Sequence, residues 1–317
     1  MAEHVIAVDL GGTNIRGALV SQDGTIVHRS SLPTKAIEGP AAVIERIVHV
    51  INEVAGDSGP DTPVGIASPG PLDPRSGVIL FTPNLPGWRN VALVDQVVAA
   101  THRRVALQND GNCGALGEAY FGSAREVSDL VYLALGTGIG GGVLSNGVLI
   151  DGVRGFGAEV GHVVVALDGP RCTCGSVGCL EAFAAGWAIQ REAELVATTA
   201  DGDRLKELAN GGEIHAGIVA KAAEEGDPAA TRILERAGRA LGAATGAFIN
   251  IFNPSRVVIG GGVAAIGELL IGPARSAIAQ HSFIDMRREM SVEYSSLGSD
   301  TNLLGAAALA IRAFIPD

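Results

Sequence analysis

The stretch His4-Val-Ile-Ala-Val-Asp-Leu-Gly-Gly-Thr-Asn-Ile-Arg-Gly-Ala-Leu-Val20 decides how the chain is read. Four apolar residues, Val5 to Val8, lead through Asp9 into Gly11-Gly12-Thr13, and a second apolar run, Ile15 to Val20, leads out. That order of residues spells strand, glycine turn, strand. The theme returns at Leu130 to Leu135, Gly136-Thr137-Gly138 and Ile139 to Leu144, which implies an internal duplication. Between the copies, Val43, Ile44, Ile47, Val50, Ile51 and Val54 form a helical stripe over Pro40 to Gly56. A strand at Val64 to Ala67 runs into Ser68-Pro69-Gly70-Pro71, a helix is expected over Val91 to Ala100, and a strand over Val105 to Gln108. After the second copy come a helix near Pro228 to Ile251, a strand at Val257 to Ile259 ahead of Gly260-Gly261-Gly262, and an alanine-rich helix from Leu303 to Phe314. Strands mixed with helices define an α/β protein.

A length of 317 residues favours two lobes sharing a cleft. Glycine is abundant, at 44 residues, and suits backbone that turns sharply or approaches a ligand closely. The 23 basic against 34 acidic side chains leave a net charge of −11, and no basic cluster is present to neutralise nucleic-acid phosphates. An acidic protein that binds a nucleotide must hold it with amides, helix N-termini and a divalent cation. The N-terminus has no basic leader, and Asp9 interrupts its apolar run, so no secretion signal is read there. Leu130 to Ile150 is uncharged and long enough for a bilayer, but its six glycines mark buried strands and turns. A cytoplasmic protein with neither nucleic-acid nor membrane partners is expected.

Cys172-Thr-Cys-Gly-Ser-Val-Gly-Cys179 sets three thiols within eight residues, and His162 lies ten residues before Cys172. One imidazole and three thiolates complete a tetrahedral zinc site with no position left for water, so the metal is read as structural. A disulfide is the competing reading, but Cys172 and Cys174 are too close to pair easily and cytosolic thiols stay reduced. Cys113 stands alone in an apolar stretch and reads as a buried small residue. Gly136-Thr-Gly-Ile-Gly-Gly141 matches a dinucleotide-binding pattern, yet Val143 to Val148 reads as strand and turn where a helix is required, which favours a phosphate-binding hairpin. Asp9 is either a turn residue or the group that orients magnesium while Gly11, Gly12 and Thr13 meet phosphate oxygens. Asp110, in Asn109-Asp-Gly-Asn112, either caps a helix running to Tyr120 or is a general base for phosphoryl transfer.

With these motifs assembled, the chain resembles the ROK family of repressors, open reading frames and sugar kinases along essentially its whole length. Asp9-Leu-Gly-Gly-Thr13 is similar to the family's first phosphate motif, Asn109-Asp-Gly-Asn112 to its catalytic motif, and Leu135-Gly-Thr-Gly-Ile-Gly-Gly-Gly142 to its second phosphate loop. Glu159-Val-Gly-His162 and Cys172 to Glu181 match its sugar and zinc signature. The resemblance implies a two-lobed actin-like ATPase (ribonuclease H-like) fold with duplicated domains. The small lobe would comprise residues 1–108, with a helix at about 301–317 packing back on it, and residues 109–300 would form a large lobe carrying the zinc loop. It implies Asp110 as base toward a sugar 6-hydroxyl, with Asn84, Asn109, Glu159, His162 and Glu181 binding the sugar. One ring nitrogen of His162 would meet zinc and the other a sugar hydroxyl. Thr137 and Gly138 would contact phosphates, and Gly261 and Gly262 would lie near the nucleoside. Glucose and magnesium ATP are the implied substrates, in a homo-oligomer that is a dimer or tetramer; the alternatives are another hexose or a non-catalytic sugar sensor. Related repressors carry a helix-turn-helix before the first phosphate motif, and with that motif starting at Asp9 no such domain is expected here.

Overall fold

A computed structural model of the protein describes residues 3–82 and 85–315. β1 (His4–Leu10) is apolar at nearly every position because both of its faces are covered. Ile6, Val8 and Leu10 enter one core cluster, while Val5 and Ala7 enter another. β1 turns through the glycines into antiparallel β2 (Asn14–Ser21), which pairs with β3 (Ile26–Pro33). β4 (Val64–Ser68) and β8 (Val105–Asn109) extend the sheet in parallel, giving the order β3-β2-β1-β4-β8. In the chain, β4 and β8 are separated by a small antiparallel sheet of β5 (Leu72–Asp73), β6 (Val78–Phe81) and β7 (Arg89–Ala92). Helix α1 (Pro40–Ala55) lays its expected stripe on the first cluster. α2 is shorter at its start than the pattern suggests, covering Leu93–Thr101, because Val91 belongs to β7 and pairs with Ile79. α3 (Asp110–Tyr120) follows β8 directly.

The second sheet has the order β11-β10-β9-β12-β13, formed by β9 (Leu130–Leu135), β10 (Ile139–Ser145), β11 (Val148–Leu149), β12 (Arg256–Gly260) and β13 (Ser291–Tyr294). Counted within each sheet, both follow the same third-second-first-fourth-fifth order, and in both the first strand runs parallel to the fourth. The expected duplication is therefore present in the topology. β10 continues from the glycine turn as a strand, which excludes a dinucleotide-binding helix there. Six helices come with this sheet: α4 (Glu181–Ala184), α5 (Gly186–Ala197), α6 (Asp203–Ala209), α7 (Ala216–Glu224), α8 (Pro228–Phe252) and α9 (Glu268–His281).

α10 (Thr301–Phe314) closes the described chain and supplies Leu303, Ala306, Ala307 and Ala310 to the cluster that holds Val5 and Ala7. The residues group into two compact units. One is built from the chain up to Ser128, Gly142–Ala158 and the chain from Ser295 onward; the other from Asp129–Gly141 and Glu159–Tyr294. Among the described residues no helix is long and apolar enough to cross a membrane.

Candidate functional site

In the first unit, parallel pairing brings the carboxyl ends of β1, β4 and β8 together, with Asp9 beside Ala67 and Ser68 beside Asn109. Open α/β sheets bind ligands at this edge. The Gly11 to Thr13 turn is tied down by Thr34, whose amide donates to Thr13 O at 2.7 Å and whose hydroxyl donates to Gly11 O at 2.7 Å. Asp9 is buried, and its Oδ2 accepts from Arg16 Nε at 3.0 Å and from an Arg16 terminal nitrogen at 2.6 Å. Burial pushes the Asp9 carboxyl above its ordinary range, while the guanidinium pulls it the other way. Asn109, not Asp110, caps α3: its side-chain oxygen accepts from Gly111 N at 2.9 Å and Asn112 N at 3.4 Å. Asp110 stands as the first helical residue and accepts from Gly111 N at 2.8 Å. Cys113 is fully buried, its thiol pushed well up by burial and further by Asp110 and Asp9. Asn84 lies outside the described residues.

In the second unit the carboxyl ends of β9 and β12 are neighbours, with Gly260 beside Ala134, so Gly136 to Gly138 and Gly261 to Gly262 share one edge. Gly261 has φ +89°, and a Cβ there would stand 2.3 Å from Leu135 O, so only glycine fits without a backbone shift. Glu181, buried at the start of α4, accepts from Ile139 N at Oε2 (2.9 Å) and from the Thr173 hydroxyl at Oε1 (3.1 Å). The ligand atoms of His162, Cys172, Cys174 and Cys179 all lie within 4.8 Å of one another. His162 Nδ1 is 3.7 Å from Cys172 Sγ, and the Cys174 and Cys179 sulfurs are 3.8 Å apart. Zinc–sulfur bonds of ~2.3 Å in a tetrahedron put sulfurs about 3.8 Å apart, so the spacing and the soft donor set fit that ion. The backbone amide of Ser176 holds the Cys174 thiol down at about 7, while burial pushes Cys179 up to about 12. Glu159 precedes the short helical turn Val160–His162. Its carboxyl is raised by partial loss of water and by Glu181, against the pull of His162.

A cavity of about 460 Å³ opens beside this edge, walled by Thr137, Gly262, Trp187, Gln190, His215 and Glu224, among others. Thr137 and Gly262 are read from the glycine motifs. Trp187, Gln190, His215 and Glu224 stand on or beside α5 and α7, where no motif marks them, and only an unexplained tryptophan in a chain with two of them hints at a binding wall. Arg16 and Thr34 are missed for the same reason: each acts through a strand register or a loop contact that spacing along the chain does not reveal.

Two sheets of one topology, each with a glycine turn after its first strand and a ligand edge at its strand ends, define the actin-like ATPase class of fold. The chain belongs to the ROK family, whose sequence profile matches residues 5–313. It is 42% identical to a glucokinase of Thermotoga maritima over 307 residues, 96% of each chain. A xylose repressor of Caldicellulosiruptor bescii is 32% identical over 97% of this chain and 78% of its own. A ROK family glucokinase from Streptomyces griseus, solved in complex with glucose and AMPPNP, is 32% identical with a TM-score of 0.81, covering 98% of this chain and 100% of that one.

Proposed function

We propose that the protein is a glucokinase that moves the γ-phosphoryl group of magnesium ATP to the 6-hydroxyl of glucose. The observation that carries this is where β8 hands over to α3: Asn109 supplies the N-cap, and Asp110 stands as the first helical residue at the strand-end edge where open α/β sheets bind ligands. Asp110 then accepts the proton of the attacking hydroxyl. Asn84, Asn109, Glu159, His162 and Glu181 bind the sugar. Carboxylates and amides suit that task, since each hydroxyl both donates and accepts. Gly11, Gly12, Thr13, Thr137 and Gly138 meet phosphates, Asp9 orients the magnesium that arrives with ATP, and Gly261 and Gly262 border the nucleoside, for which the 460 Å³ cavity lined by Thr137 and Gly262 offers room.

Zinc held by His162, Cys172, Cys174 and Cys179 would supply a fixed crosslink for the loop between Pro170 and Gly178, with no part in the transfer itself. With Nδ1 facing the sulfurs, Nε2 of His162 is the nitrogen left for a sugar hydroxyl. The cytoplasm is the proposed location, and a dimer or tetramer the proposed assembly.

Glucose-dependent release of ADP tests the reading. Asp110→Ala should lower turnover roughly 10²- to 10⁴-fold while glucose still binds. Near-normal turnover would show that another group takes the proton. Wild-type protein that binds glucose without releasing ADP would favour a sugar sensor, the reading to which likeness to a repressor points.

A further inference from the structure

The turn Gly136 to Ile139 is held from one direction, by residues that follow the cysteine cluster in the chain. Gly186 N donates to Gly136 O at 2.9 Å, Trp187 N donates to Thr137 O at 3.3 Å, and Ile139 N donates to Glu181 Oε2 at 2.9 Å. Gly138 lies so close that a Cβ there would stand 2.7 Å from the same Oε2. The other oxygen of Glu181 belongs to the metal loop: the Thr173 hydroxyl donates to Oε1 at 3.1 Å, and Cys172 Sγ lies 3.6 Å from it. Thr173 sits between two of the four candidate metal ligands, and Glu181 lies two residues after a third.

We propose that Glu181 is a positioning residue for nucleotide phosphates, transmitting the order of the metal loop to the turn Gly136 to Ile139. This goes beyond the sugar contact assigned to it above and rests on the reading that the turn receives ATP. An amide donating to a carboxylate makes a stronger and more directional bond than one donating to a neutral oxygen. A carboxylate whose far oxygen is pinned by Thr173 cannot rotate away from Ile139. Each oxygen keeps a second lone pair, so a sugar hydroxyl can be accepted at the same time. Loss of the metal frees Thr173, then Glu181, then the turn.

Binding of magnesium ADP in the absence of sugar, followed by calorimetry and by Trp187 fluorescence, reads this out on protein prepared with its metal. Glu181→Ala should weaken ADP binding about tenfold or more, because it leaves a buried amide without its acceptor. Glu181→Gln, which keeps an oxygen for Ile139 and an amide toward Thr173, should stay within about threefold of wild type. Thr173→Val should retain the metal and still weaken ADP binding several-fold, and its exposed position makes it tolerable to the fold. Stripping the metal from the wild type should weaken ADP binding, while stripping it from Glu181→Ala should add little. A residue that serves the sugar alone would leave ADP affinity unchanged in both Glu181→Ala and Thr173→Val, and that result overturns the proposal. So does a Glu181→Gln protein as weak as Glu181→Ala. Wild-type protein that fails to bind ADP at all refutes the nucleotide reading itself, a separate outcome from loss of coupling.

Discussion

Asn109 ends β8 and opens α3, and its amide is split between two kinds of work. The oxygen satisfies the orphan amides of Gly111 and Asn112, while the nitrogen faces Gly70, where a Cβ would stand 3.2 Å away. The two duties can be separated by mutation. Asn109→Asp keeps the acceptor and should melt within a degree or two of wild type, yet raise the KM for glucose because the donor is gone. Asn109→Ala should lose about 1 kcal/mol of stability in addition. An Asn109→Asp enzyme with unchanged KM would remove Asn109 from the sugar site. At this scale the sequence is informative wherever backbone does the binding, since glycine motifs are written in the residues themselves. Arg16 illustrates the opposite case: its partner Asp9 becomes visible only once β1 and β2 are paired in register.

Helices with an even apolar stripe and clear ends are legible as elements. α1 was expected over Pro40 to Gly56 and spans Pro40–Ala55, because Pro40 starts it and Gly56 stops it. α9 gave no such reading, with Pro273 inside it, a residue that normally argues for a helix end. The strands β5 to β7 are two to four residues long, too short for an alternation to register. Close helix crossings are also hidden from pattern. A Cβ at Gly305 of α10 would stand 1.9 Å from Cys113 O of α3, and one at Gly117 would stand 2.8 Å from Thr301 O. Gly305→Ala must therefore part the two helices, and calorimetry should find a loss of roughly 1–3 kcal/mol; an unchanged melting temperature would contradict this packing. Just ahead of α10, Arg29 of β3 holds Asp300 through two hydrogen bonds of 2.7 and 2.6 Å. The guanidinium keeps the Asp300 carboxyl below its ordinary value. Its contribution is thus complete above about pH 4, the usual aspartate range, and lost as pH falls through the lowered folded value. Since Arg29 is half exposed, the pair is worth no more than about 1 kcal/mol. Wild type should exceed Asp300→Asn in stability at pH 7 by that amount, with the gap closing at strongly acid pH.

Across the whole molecule, the duplicated topology is readable from the repeated strand, glycine turn, strand theme, whereas the division into units is interleaved and crosses the chain several times. The cysteine cluster is a candidate local crosslink that the composition announces. Cys174→Ser should bring zinc content toward zero, measured by atomic absorption, and lower the melting temperature together with sugar affinity; full stability and activity in metal-free protein would refute a structural metal. The first sheet depends on a contact far apart in sequence. β1 is covered on one face by α10, whose Ala306 carbonyl oxygen would stand 1.9 Å from a Cβ at Gly65 of the neighbouring strand β4. Residues 4–10 and 301–314 are separated by nearly the whole chain. On a ribosome adding roughly 5–20 residues per second, β1 emerges on the order of 15–60 s before the helix that covers it. During that interval Val5, Ala7 and Ala67 have no permanent cover. The first unit can therefore finish folding only after synthesis has passed residue 314.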